Sequence, residues 1–173
     1  MYSIKRALTT NSMQTRDIGN SECWVALWVR TSLAAEPVEL TMDLERVAAV
    51  NVSNEVTVIG IVLPWLADNR HPEVSGEAAF KARLSEQLED WMTHRKDEAS
   101  QVCVAGDFNQ DLLETGHYYG SKGGRKALHE ALAAARLKCL TRAANDPIPE
   151  SSGKACIDHI CVGGMKATGV KQI

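Results

Sequence analysis

Residues 56–65, VTVIGIVLPW, limit the fold more than any other stretch of the chain. A strand with one face in water alternates apolar and polar residues, whereas this run is apolar almost throughout. That is the pattern of a strand covered on both faces of its sheet. Pro64 ends it, because proline cannot donate to a central ladder. The other strand-like runs are CWVALWVR (23–30), ERVAAVNV (45–52, followed by the turn SNE at 53–55), residues 101–105, KCLT (138–141) and CIDHICV (156–162). Phe80, Leu84, Leu88 and Trp91 recur at helical spacing, which predicts an amphipathic helix of about 20 residues ending near Arg95. Leu128, Leu132 and Ala135 predict a second helix within RKALHEALAAARL (125–137). The order is three strands, helix, strand, helix, short strand, strand. It implies an α/β fold with a mixed sheet and helices packed on sheet faces.

The chain has 173 residues, which suits one domain with a real core. Its first 22 residues are polar and aperiodic, so a loosely ordered N-terminal segment is expected ahead of a domain at 23–173. That segment has no continuous apolar core and does not read as a signal peptide. A net charge of −3 disfavours a purely electrostatic nucleic-acid binder, while leaving room for a local basic patch. No apolar run reaches the ~20 residues of a spanning helix, so no membrane partner is expected. The five cysteines are odd in number and none are spaced C-x-x-C. A zinc site, a disulfide framework or a disulfide partner is therefore not expected, and a reducing cytoplasm is the natural setting.

Two carboxylates stand out against apolar strands. Asp107 follows Gly106 at the end of VCVAG, with Asn109 two residues on, and Asp158 interrupts CIDHICV. Gly, Asp and Asn are ordinary turn residues. Polar groups at strand ends, however, also line the crevice where α/β sheets bind ligands. A buried carboxylate left without a partner costs several kcal/mol, so a cation, a histidine or a metal is expected near Asp158. For His159 two readings stay open: a catalytic role, or the opposite face of the strand from Asp158. The loop HYYGSKGGR (117–125) likewise has two. It either faces substrate, with Tyr118 or Tyr119 stacking on a base and Lys122 or Arg125 meeting phosphate, or is a flexible glycine loop before a helix. Trp24, Trp28 and Trp91 are expected in the core, and Trp65 there or at the border of the cleft.

VAGDFNQDL resembles the Gly-Asp-Phe-Asn signature of the endonuclease/exonuclease/phosphatase superfamily, and CIDHICV is similar to a later strand motif of that family. The strand at 56–65 and the helix leading into the Asp107 strand fall in the family's order. The resemblance implies a four-layer α/β sandwich of mixed sheets flanked by helices. It also implies hydrolysis of a phosphate ester, with nuclease or phosphodiesterase as the parent activity. Asp107 would orient or deprotonate the attacking water, Asn109 would donate to a phosphate oxygen, and Asp158 would orient a histidine or help hold a metal. Mg²⁺, or Mn²⁺ in its place, suits Asp107 and Asp158 with waters and phosphate oxygens. DNA, RNA, an inositol phosphate, a lipid head group and a nucleotide all remain open as substrates.

The chain departs from the family in three places. No strand ahead of Cys23 carries the metal-binding Glu, and Glu22 does not inherit that role. Val62 stands where many members place His or Tyr, so that contact is either absent or supplied from elsewhere, such as Asp68, Asn69 or His71. Asp158-His159 reads as the earlier strand motif rather than the family's terminal Ser-Asp-His. An incomplete domain is thus expected, with a non-catalytic binding module as the alternative to a hydrolase.

Overall fold

The computed structural model describes residues 2–5, 24–40, 45–67 and 74–166. Its strands and helices are β1 (Tyr2–Lys5), β2 (Leu27–Arg30), β3 (Ala35–Pro37), β4 (Val47–Val52), β5 (Val56–Val62), α1 (Gly76–His94), β6 (Gln101–Asp107), α2 (Lys122–Ala134), β7 (Lys138–Cys139) and β8 (Asp158–Gly163). Six strands form one sheet in the order β3-β4-β5-β6-β8-β7, while β1 and β2 pair antiparallel as a separate two-stranded sheet. Within the large sheet β5 and β6 run parallel, joined across α1, and every other neighbour is antiparallel. The chain is therefore α/β with a mixed sheet.

The β4–β5 hairpin turns through Ser53 and Asn54, both left-handed at φ 55° and 58°. Asparagine tolerates that region better than most residues. On one face of β5, Ile59 and Ile61 pack with Phe80, Leu84 and Trp91 of α1 and with Leu128 and Leu132 of α2. On the other face Val58 and Val50 meet Val29 and Leu27 of β2. Gly60 permits that approach, since a Cβ there would lie 2.7 Å from Val25 Cγ1. Both faces of β5 are thus covered, as its unbroken apolar sequence requires. The helix layer, the large sheet and the small sheet make three layers of the expected four. A second helix layer is absent among the described residues.

Several sequence expectations need correcting. Of the N-terminal segment, residues 2–5 form β1, and the expectation for residues 6–22 lies outside the described residues. β2 begins at Leu27 rather than residue 23, and the three-residue β3 was not foreseen. α2 starts at Lys122, not Arg125, because the Ser121 side chain accepts from Gly124 N at 2.9 Å and caps the helix there. Of the tryptophans, Trp91 is fully buried, whereas Trp28 is 62% exposed. Strand alternation turns Val29 inward and leaves its neighbour out. Trp24 and Trp65 are half-buried and stack with centroids 5.6 Å apart, and the Arg46 guanidinium lies 4.9 and 5.4 Å from their rings.

Candidate functional site

The site is assembled where β5, β6 and β8 meet. Asp107 is the last residue of β6 and stands directly opposite Asp158, the first residue of β8. Opposed residues on antiparallel strands share a face, so the two carboxylates point to the same side of the sheet. On its other flank Asp107 pairs with Val62, which offers phosphate no donor. Burial pushes the Asp107 carboxyl above its ordinary range, and the Asp158 charge adds to that rise. Backbone and side-chain hydrogen bonds from Asn109 oppose it.

The turn after β6 is stitched to its neighbours. Leu63 N donates to Asp107 O at 2.8 Å, and Phe108 N to Ile157 O at 2.9 Å. Asn109 is left-handed, at φ 49°, and its backbone N donates to Asp107 Oδ1 at 2.8 Å. Its amide Nδ2 donates to Leu63 O, also at 2.8 Å. Asn109 is therefore buried and held between the ends of β5 and β6, with its side chain beside the Asp107 carboxylate.

His159 faces the other way. It is 1% exposed, beneath the helices, with Phe108 edge-on at 5.5 Å. Nε2 donates to the Gln110 carbonyl at 2.9 Å, and Nδ1 lies 3.1 Å from Thr141 Oγ1. Asp158 is exposed on the open side of the same strand. The structure thus brings Asp107, Asn109 and Asp158 to one strand end and places His159 on the opposite face.

The loop before α2 carries the remaining candidates. Tyr118 and Tyr119 are exposed, with ring centroids 6.4 Å apart. Lys122 is exposed at the first position of α2. Arg125 turns inward, and its Nη1 donates to Asp111 Oδ1 at 2.8 Å, Gly116 O at 3.0 Å and Leu113 O at 3.5 Å. Asp68, Asn69 and His71 lie outside the described residues.

Sequence reasoning missed Gln110 and Asp111. Both are essentially unexposed, and both bind the loop that bears the tyrosines. The only signal was a carboxylate next to the apolar Leu112, with an arginine fourteen residues later.

The donor set suits a hard cation. Asp107 and Asp158 supply carboxylate oxygens from two strands, and a cation between them would relieve their mutual repulsion. Among the described residues no group of three His, Cys, Asp or Glu side chains could hold a metal. Water and substrate oxygens would have to complete the coordination.

No protein-family model and no curated protein matches the chain. Among solved structures it is similar to a 3′–5′ exonuclease (NExo) from Neisseria meningitidis, with 20% identity and a TM-score of 0.49 over 68% of this chain and 52% of that one. An AP endonuclease from Archaeoglobus fulgidus matches at 14% identity and a TM-score of 0.47, over 74% and 59% of the two chains. A humanized D. rerio TDP2 with 14 mutations matches at 14% identity and a TM-score of 0.40, over 79% and 55%. The chain spans between half and six-tenths of the length of each of these proteins.

Proposed function

We propose that this chain is a metal-dependent phosphoesterase domain that acts on phosphodiester bonds, with nucleic acid as the leading substrate class. The observation that carries the reading is the direct opposition of Asp107 and Asp158 across β6 and β8, with Asn109 held beside Asp107. Asp107 and Asp158 would hold Mg²⁺ or Mn²⁺, which when bound neutralises phosphate charge and lowers the pKa of a bound water. Asp107 is partly buried with a raised pKa, a state suited to accepting a proton from a water held within hydrogen-bond reach. Asn109, buried with its Nδ2 donating to Leu63 O and its backbone N to Asp107 Oδ1, orients that carboxylate. Tyr118 and Lys122 remain proposed as substrate-facing, with Lys122 the exposed cation, whereas Arg125, expected to meet phosphate, is instead bound to Asp111, Leu113 and Gly116.

Four free cysteines among the described residues fit a reducing compartment such as the cytoplasm. No helix among the described residues is long and apolar enough to cross a membrane.

Cleavage of plasmid DNA or of a chromogenic phosphodiester in Mg²⁺ or Mn²⁺ tests the reading. Metal-dependent turnover that Asp107→Ala abolishes is expected. A second reading, a non-catalytic binding remnant of the fold, is favoured by one observation: His159 is committed to Gln110 and Thr141, so no described histidine serves the carboxylates. That reading predicts no cleavage and no change in Tm on adding divalent cation.

A further inference from the structure

Asp111 is buried completely, yet it is the most heavily bonded side chain near the site. Its Oδ2 accepts from Tyr118 N and Tyr119 N, both at 2.9 Å, and lies 3.0 Å from His117 Nδ1. Its Oδ1 accepts from Leu113 N at 3.3 Å and Arg125 Nη1 at 2.8 Å. The neighbouring Gln110, 1% exposed, accepts from Ser121 N through Oε1 at 3.0 Å. The loop closes on Gln110 so tightly that a Cβ at Gly120 (φ +89°) would sit 2.2 Å from that same oxygen. The two residues that immediately follow Asn109 therefore fasten residues 117–121 to the chain just after the Asp107–Asn109 turn.

What the clasp presents is unusual for a tight loop. Tyr118 and Tyr119 remain 42% and 37% exposed with their rings side by side, and the exposed Lys122 follows three residues later. A buried ion pair broken by loss of one partner is strongly destabilising, so this loop is fixed rather than free. Fixed exposed aromatics next to a cation suit a base with its backbone phosphate, because every nucleobase offers a π-face.

We propose that Gln110 and Asp111 are positioning residues that hold Tyr118 and Tyr119 as a stacking surface for an unpaired nucleobase of the strand whose phosphodiester lies at Asp107 and Asp158. The inference rests on the phosphoesterase reading for the location of that phosphate. Arg125 is then the clasp of the loop, and Lys122 is its phosphate contact.

The test is binding, measured by fluorescence anisotropy in EDTA so that hydrolysis plays no part. The probes are a labelled oligothymidylate of about twelve nucleotides and an abasic strand of equal length and charge. The wild-type chain is expected to prefer the base-bearing strand about five-fold or more, as one stacked base would give. Tyr118→Ala and Tyr119→Ala should bring that ratio towards one without weakening abasic binding, and Tyr118→Phe should preserve it. Asp111→Asn should also bring the ratio towards one, with abasic affinity intact. If that variant does not fold, Arg125→Lys, which keeps the charge but shortens the reach to Gly116 O, decides the point. A wild-type ratio of one overturns the proposal, as does a duplex bound as tightly as the single strand. So does a folded Asp111→Asn or Arg125→Lys chain that keeps the preference. Absence of metal-dependent cleavage with the ratio intact overturns only the phosphoesterase reading.

Discussion

Gly106 decides whether Asp107 can stand where it does. Its φ is +144°, and a Cβ at this position would lie 2.0 Å from Ile61 O on the neighbouring strand. Gly106→Ala is therefore expected to cost about 3 kcal/mol or more, seen as a lower urea midpoint with the same m-value. The motif was legible in the sequence, but this reason for its glycine was not, because the obstructing atom belongs to β5. Asp107→Asn should behave differently. It removes a charge disfavoured by burial and by Asp158 while keeping an acceptor for Asn109 N. Without divalent cation its Tm should match the wild type or exceed it by about 2–4 °C, for a gain on the order of 1 kcal/mol. Asp111 is the opposite case. Burial raises its pKa, but donation from Tyr119, Tyr118 and Leu113 and the Arg125 charge outweigh that and hold it below its ordinary 3.8. Its contribution is thus fully present above the unfolded value and is lost as pH falls through the folded one. Stability measured by urea titration should decline below about pH 4, and Asp111→Asn should flatten that decline. Asp111 escaped the sequence reading because a carboxylate whose partners are mostly backbone N–H groups leaves no pattern of residue types.

Length decides much of what was legible, though β2 and β7, of four and two residues, lay within the expected strand runs CWVALWVR and KCLT. α1, α2, β4, β5, β6 and β8 were all legible, because each is long enough for its apolar period to show against the turns around it. β1 and β3, of four and three residues, carry no period that a reader could separate from loop sequence. The alternation in CIDHICV did hold the answer for Asp158 and His159: one face of β8 is polar and open at its start, the other buried. What sequence could not supply was the partner of each face. The start of α2 is set by one side chain, Ser121. Ser121→Ala is expected to cost about 1 kcal/mol by urea denaturation, the usual loss when such a cap is removed.

Across the whole molecule, the sheet order β6-β8-β7 has a consequence in time. β6 and β7 come earlier in the chain, and β8 enters last between them, antiparallel to both. Until residues 158–163 are in place, β6 has a bare edge and Asp107 has no carboxylate across from it. Contacts between segments some fifty residues apart close slowly compared with local ones, because loop-closure entropy is met first. A chain in which β8 has not docked therefore lacks the paired site, and Phe108 N lacks its partner Ile157 O. The paired carboxylates on which the proposed chemistry depends exist only once residues 158–163 have docked beside β6.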